Sequence, residues 1–107
     1  MKELDQTHKD IILQQFELSF DEHLQDEKLL ESLSDRIAHL LMYEMESFMT
    51  LMYRMDVSEK KVATALSPNQ AEAPNVALAK LVIERQMERM ATKKKYKQAP
   101  LNDWMDF

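Results

Sequence analysis

A chain of 107 residues with a formal charge of −5 has room for one domain and too much acid to coat nucleic acid indiscriminately. Glycine is absent, which removes the residue that supplies positive φ in tight hairpins and phosphate-cradling loops and argues against both. Cysteine is absent too, leaving no disulfide framework, thiolate zinc site or cysteine nucleophile. The opening MKELDQTHKD lacks the apolar stretch of a secretory signal, so a cytoplasmic location is expected.

Ile12, Phe16 and Phe20 recur every four residues and predict a first helix from about Thr7 to Leu18, with a break near Phe20. Two starts compete for the second helix, one at Ser19 with Glu22 and one at Asp26, and the later is favoured. From there the line Leu30, Leu33, Ile37, Leu41, Phe48, Met52 and Met55 predicts one long helix ending at Met55. Its second half reads LLMYEMESFMTLMYRM, and at about 100° per residue only Glu46, Ser47, Thr50 and Arg54 form a polar strip. The apolar arc is roughly twice what one packed surface covers, so two surfaces must close over it.

Asp56 and Glu59 have the spacing of a capping box and predict a short third helix, Val57 to Leu66. Ser67-Pro68 and Ala73-Pro74 bracket the one linker-like stretch. Asn75 is the expected N-cap of a last helix reaching Lys97, with Val76, Ile83, Met87 and Met90 on its apolar face. Pro100 stops it, leaving residues 98–107 as a tail. The expected architecture is all-α: a small four-helix bundle over residues 1–97 with a long central second helix, followed by a non-helical C-terminal tail.

Charge is uneven along the chain. Residues 1–75 hold 7 basic and 15 acidic side chains, or −8; residues 76–97 hold 7 and 2, or +5; the tail adds Asp103 and Asp106. Arg85, Arg89 and Lys93 continue along one helical face, and Lys94, Lys95 and Lys97 thicken it. Such a stripe suits phosphate, yet only Tyr96 is at hand to stack on a base, and lysines also favour a helix C-terminus. Docking on acidic side chains of the same chain or a second copy is the preferred reading; Lys93, Lys94, Lys95 and Lys97 as nucleic-acid contacts are the alternative.

Glu44 falls inside the apolar arc and needs a partner such as Arg85 or Arg89, or an opening to solvent. Glu31, Asp35 and His39 share a helical face, but one helix seldom closes a metal site and the Glu-x-x-His pair of di-iron bundles is missing. His8 and His23 stand in polar surroundings. No glycine-flanked serine presents a nucleophile, so no catalytic residue, metal or cofactor is assigned. The nine methionines lie beside Leu and Phe on apolar faces, as core or interface rather than copper ligands. Trp104 and Phe107, set among aspartates, have the form of a docking motif; a fold-back of Trp104 over the bundle is the competing reading.

The segments DRIAHLL (35–41), FMTLMYRMDVSEKKV (48–62) and LAKLVIERQMERMATKKKYK (78–97) resemble small, functionally uncharacterised bacterial all-helical proteins. The resemblance implies a single helical domain and makes Tyr53 to Val57 a structural corner, with Arg54 pairing with Glu59 or Asp56. The function expected is non-enzymatic: interaction or assembly, with a protein partner or as a homodimer, through Leu41, Met42, Met45, Met49, Met52 and Tyr53. Glu44, Arg85 and Arg89 are the expected polar anchors. No membrane role is expected, because Glu44, Glu46 and Arg54 interrupt the apolar run.

Overall fold

The computed structural model describes residues 3–19 and 24–98, and those residues form five helices and no strand. They are α1 (Gln6–Gln15), α2 (Asp26–Tyr43), α3 (Met45–Arg54), α4 (Glu59–Ala65) and α5 (Pro74–Gln98). The all-α class expected from the sequence is present; the four-helix count and the single long second helix are replaced by five helices with a break at Glu44.

The break carries no proline or glycine. At Glu44 the backbone turns to φ −142° and ψ 56°, while its amide still bonds Leu40 O and its carbonyl still accepts from Phe48 N. Tertiary contacts require the bend. Asn75 Nδ2 donates to Ser34 O at 3.1 Å, and Arg85 Nη2 reaches Asp56 Oδ2 at 2.8 Å. Ten residues of α5, about 15 Å, separate those two points, whereas a straight helix would set Ser34 and Asp56 about 33 Å apart. Folding at Glu44 removes the discrepancy and returns Phe48, Met52 and Met55 to the core that Leu33, Ile37 and Leu40 begin.

Without glycine, two helices end on residues in the left-handed region. α1 closes on Glu17 (φ 56°) and α3 on Asp56 (φ 57°). Each end has the doubled bonds of a Schellman motif: Leu18 N to Leu13 O with Glu17 N to Gln14 O, and Val57 N to Met52 O with Asp56 N to Tyr53 O. Leu13 and Met52, whose carbonyls accept the wider-spanning of the two bonds at each end, are buried, so water is a poor alternative partner for them.

Several caps differ from those read in the sequence. Asp5, two residues ahead of the expected start at Thr7, caps α1, its side chain accepting from His8 N at 2.9 Å. Ser58, rather than Asp56, caps α4, with Oγ accepting from Lys61 N. α5 begins with Pro74 as its first residue, where a missing N–H costs nothing, and Asn75 spends its side chain on Ser34 of α2.

α5 packs chiefly on α2 and also on α4 and α1, and α2 packs on α3. The core line of α2 is Leu29, Leu33, Ile37 and Leu40, so Leu30 and Leu41 are only half-buried. On α5 the buried row is Leu78, Ala79, Val82, Gln86 and Met90, with Ile83 and Met87 at its edge. Shifting the face this way brings a glutamine inside.

Candidate interaction surface

α3 is amphipathic in an unusual sense: it has a buried apolar face and an exposed one. Phe48, Leu51, Met52 and Met55 enter the core. Met45, Met49 and Tyr53, spaced by four residues, form a neighbouring row that the described residues leave partly open, with Met45 43%, Met49 45% and Tyr53 82% exposed. At the end of α2, just before the Glu44 break, Met42 (72%) and Tyr43 (70%) are exposed as well. Met42 lies outside because α2 turns Leu40 inward.

Of the six residues expected at an interface, Met42, Met45, Met49 and Tyr53 are exposed, Leu41 is half-buried, and Met52 is buried. Met52 nonetheless lines, with Met49, Tyr53, Val57, Val62 and the polar Arg54, Asp56, Ser58 and Glu59, a groove of about 520 Å³ between α3 and α4. Tyr43 was not among the six. Its signal was its place four residues after His39, on whose ring it rests with centroids 4.9 Å apart.

The polar anchors are arranged differently from expectation. Glu44 is exposed at the break and pairs with His39 Nε2 at 3.5 Å, not with Arg85 or Arg89. A charge predicted inside the apolar arc therefore reaches water, because the arc is interrupted at that residue. Arg85 clasps the α3–α4 corner, Nε donating to Asp56 O at 3.1 Å and Nη2 to Asp56 Oδ2, while Nη1 reaches Glu88. The hydrogen bond to Asp56 raises the guanidinium pKa further, against a smaller opposing effect of burial. Arg54 pairs with neither Glu59 nor Asp56; Nη1 donates to Gln15 Oε1. Arg89 is exposed beside Arg54 at a small cavity floored by Met55 and Gln86.

Lys93, Lys94 and Lys95 are all exposed on α5. The side chain of Lys97, and Trp104 and Phe107 of the tail, lie outside the described residues. Lys93 acts on one acid of its own chain, Asp5. Burial pushes the Asp5 carboxyl up, but the hydrogen bonds from the His8 ring and amide, with the charges of His8 and Lys93, bring it below its ordinary value of 3.8. His8, read in the sequence as polar surface, is buried with Nδ1 2.6 Å from Asp5 Oδ1.

A carboxylate with a lowered folded pKa stabilises the fold above its unfolded pKa, and that contribution disappears as pH falls through the folded value. Asp5→Asn keeps a good N-cap and removes only the charge. The wild type is therefore expected to exceed Asp5→Asn in urea midpoint at neutral pH, with the gap closing below pH 3.8. A gap that persisted at the lowest pH would assign it to shape rather than charge.

Among the described residues no three His, Asp or Glu side chains come together as a metal site, and Glu31, Asp35 and His39 stay a solvent-facing row. No described helix is long and apolar enough to cross a membrane. Comparison with protein-family models, curated proteins and solved structures finds no match. Function has to be read from the surface itself.

Proposed function

We propose that this chain is a non-enzymatic protein–protein interaction or assembly module that works through the outer face of α3. The reading is supported chiefly by the exposed Met42, Met45, Met49 and Tyr53. Single exposed apolar residues are ordinary, but Met45, Met49 and Tyr53 in file along α3, with Met42 just before the break and a groove of mixed lining alongside, mark a contact surface on a small domain. Methionine and tyrosine also suit the role, the first because its unbranched thioether adapts to a partner, the second because it couples a large apolar area to a hydroxyl.

A photoreactive phenylalanine analogue at Tyr53, with the same group at Glu31 as a control, tests this in a lysate of the source cells. The expected result is a saturable adduct of fixed mass at position 53 alone, competed by unlabelled chain and lost with Met49→Asp. Equal labelling at both positions, or none, overturns the reading. A second reading, a nucleic-acid accessory role, is favoured by the exposure of Lys93, Lys94 and Lys95. On that reading affinity for an oligonucleotide falls steeply with salt and Lys93→Glu with Lys94→Glu abolishes it.

A further inference from the structure

We propose that the occupant of the α3 face is a second copy of this chain, seated antiparallel, α3 against α3, about a dyad at Met49; the inference rests on the interaction reading above. A two-fold contact must be complementary to itself. With Met49 on the dyad, Met45 of one copy meets Tyr53 of the other, twice over, which pairs a thioether with an aromatic ring at both ends.

The polar edge closes the same way. Glu46 lies within about 20° of Tyr53 around the α3 axis, so the two share one flank of the row. A dyad perpendicular to antiparallel helices brings like flanks together. It therefore sets Glu46 of one copy beside the Tyr53 hydroxyl of the other, a donor for each carboxylate. The two Glu46 carboxylates themselves stay about 9 Å apart along the helix, six residues at 1.5 Å. A parallel pairing has neither property, since it sets Met45 on Met45 and Tyr53 on Tyr53 and puts the two Glu46 flanks on opposite sides of the contact.

Size agrees with association of moderate strength. Taking about 200 Å² for a fully exposed large side chain, Met42, Tyr43, Met45, Met49 and Tyr53 leave on the order of 600 Å² open. That is at the top of what a monomer shows and near the ~800 Å² per partner of a standard interface, with the adjoining α3–α4 groove extending it.

Sedimentation equilibrium of the full chain over a hundredfold concentration range tests this. The expected mass is that of a reversible dimer. Met49→Asp, which sets two carboxylates together at the dyad, should raise the dissociation constant at least 100-fold with the helical circular dichroism unchanged. Met45→Glu should weaken the dimer, and Met45→Glu with Tyr53→Lys should restore it, because the new lysine meets the new carboxylate and Glu46 of the other copy only in the antiparallel register. A monomer at every concentration, a dimer indifferent to Met49→Asp, or a double variant weaker than Met45→Glu alone overturns the proposal. A monomer that still gives the saturable adduct at Tyr53 overturns the second copy while leaving a different protein as the partner; an adduct formed within one chain puts the tail there instead. Loss of the adduct together with a monomeric mass removes both readings.

Discussion

Replacing Phe48 by alanine is expected to lower the free energy of unfolding by about 3–5 kcal/mol. That is a large part of the 5–15 kcal/mol that holds a domain together. Phe48 has no exposed surface and is the largest buried side chain of α3. Its removal leaves a cavity where α3 folds back on α2, at the point where the bend at Glu44 must be held closed. Burial of Phe48 is thus what turns a potentially continuous helix into two. Met49, one residue on, points to the other face. At concentrations low enough to keep the chain monomeric, Met49→Ala is expected to change stability by less than about 0.5 kcal/mol, as surface substitutions do. Urea unfolding of both variants, followed by circular dichroism, checks the pair. Comparable losses in the two would mean that the outer row is covered within the monomer, and the interaction surface would have to be sought elsewhere.

Gln86→Met should move stability the other way, by about 1–2 kcal/mol. The Gln86 side chain is 2% exposed, and its Oε1 finds no hydrogen-bond donor among the described residues. An unsatisfied buried acceptor costs about 1–3 kcal/mol, and methionine fills nearly the same volume without one. The gain appears as a higher urea midpoint at unchanged slope. A loss of stability instead would show that the carboxamide nitrogen makes a contact worth more than the orphaned oxygen costs. Gln86 stands between Val82 and Met90 on the buried row of α5, beside Met55 and the two arginines Arg54 and Arg89, so it sits where α5 meets the end of α3.

The elements that the sequence located well are those whose cues are local. Ile12 and Phe16 mark α1 and Asp26 starts α2, where apolar spacing admits one buried face, although α1 stops at Gln15 and α2 at Tyr43, short of the expected Leu18 and Met55. The prolines at 68 and 74 bound the turn between α4 and α5, since proline excludes helical angles from the residue before it. Even the surplus of apolar surface between Leu40 and Met55 was legible, because a helix with apolar side chains over so wide an arc has to meet two surfaces.

Side-chain partnerships were not legible. Asp56 looked like a cap in sequence and became the left-handed end of α3, freeing its carboxylate for Arg85. Asn75 had every mark of an N-cap, yet Pro74 beside it was enough to start α5, so Asn75 crossed to Ser34. His8 carried a polar context yet is buried, with its ring bonded to the exposed Asp5. Each choice was settled by what lay opposite in space, which residue spacing does not encode.

By itself, then, the sequence determined an all-helical chain, its turn between α4 and α5, and an apolar excess centred on residues 40–55. Periodicity and backbone restriction act over a few residues and need no partner. Only the tertiary structure decided that this stretch bends at Glu44, that Phe48, Leu51 and Met52 go in while Met45, Met49 and Tyr53 stay out, and that Glu44 meets water and His39. The bend breaks no rule of local propensity. It follows from closing α2, α3 and α5 around one core, a constraint that exists only once distant segments touch.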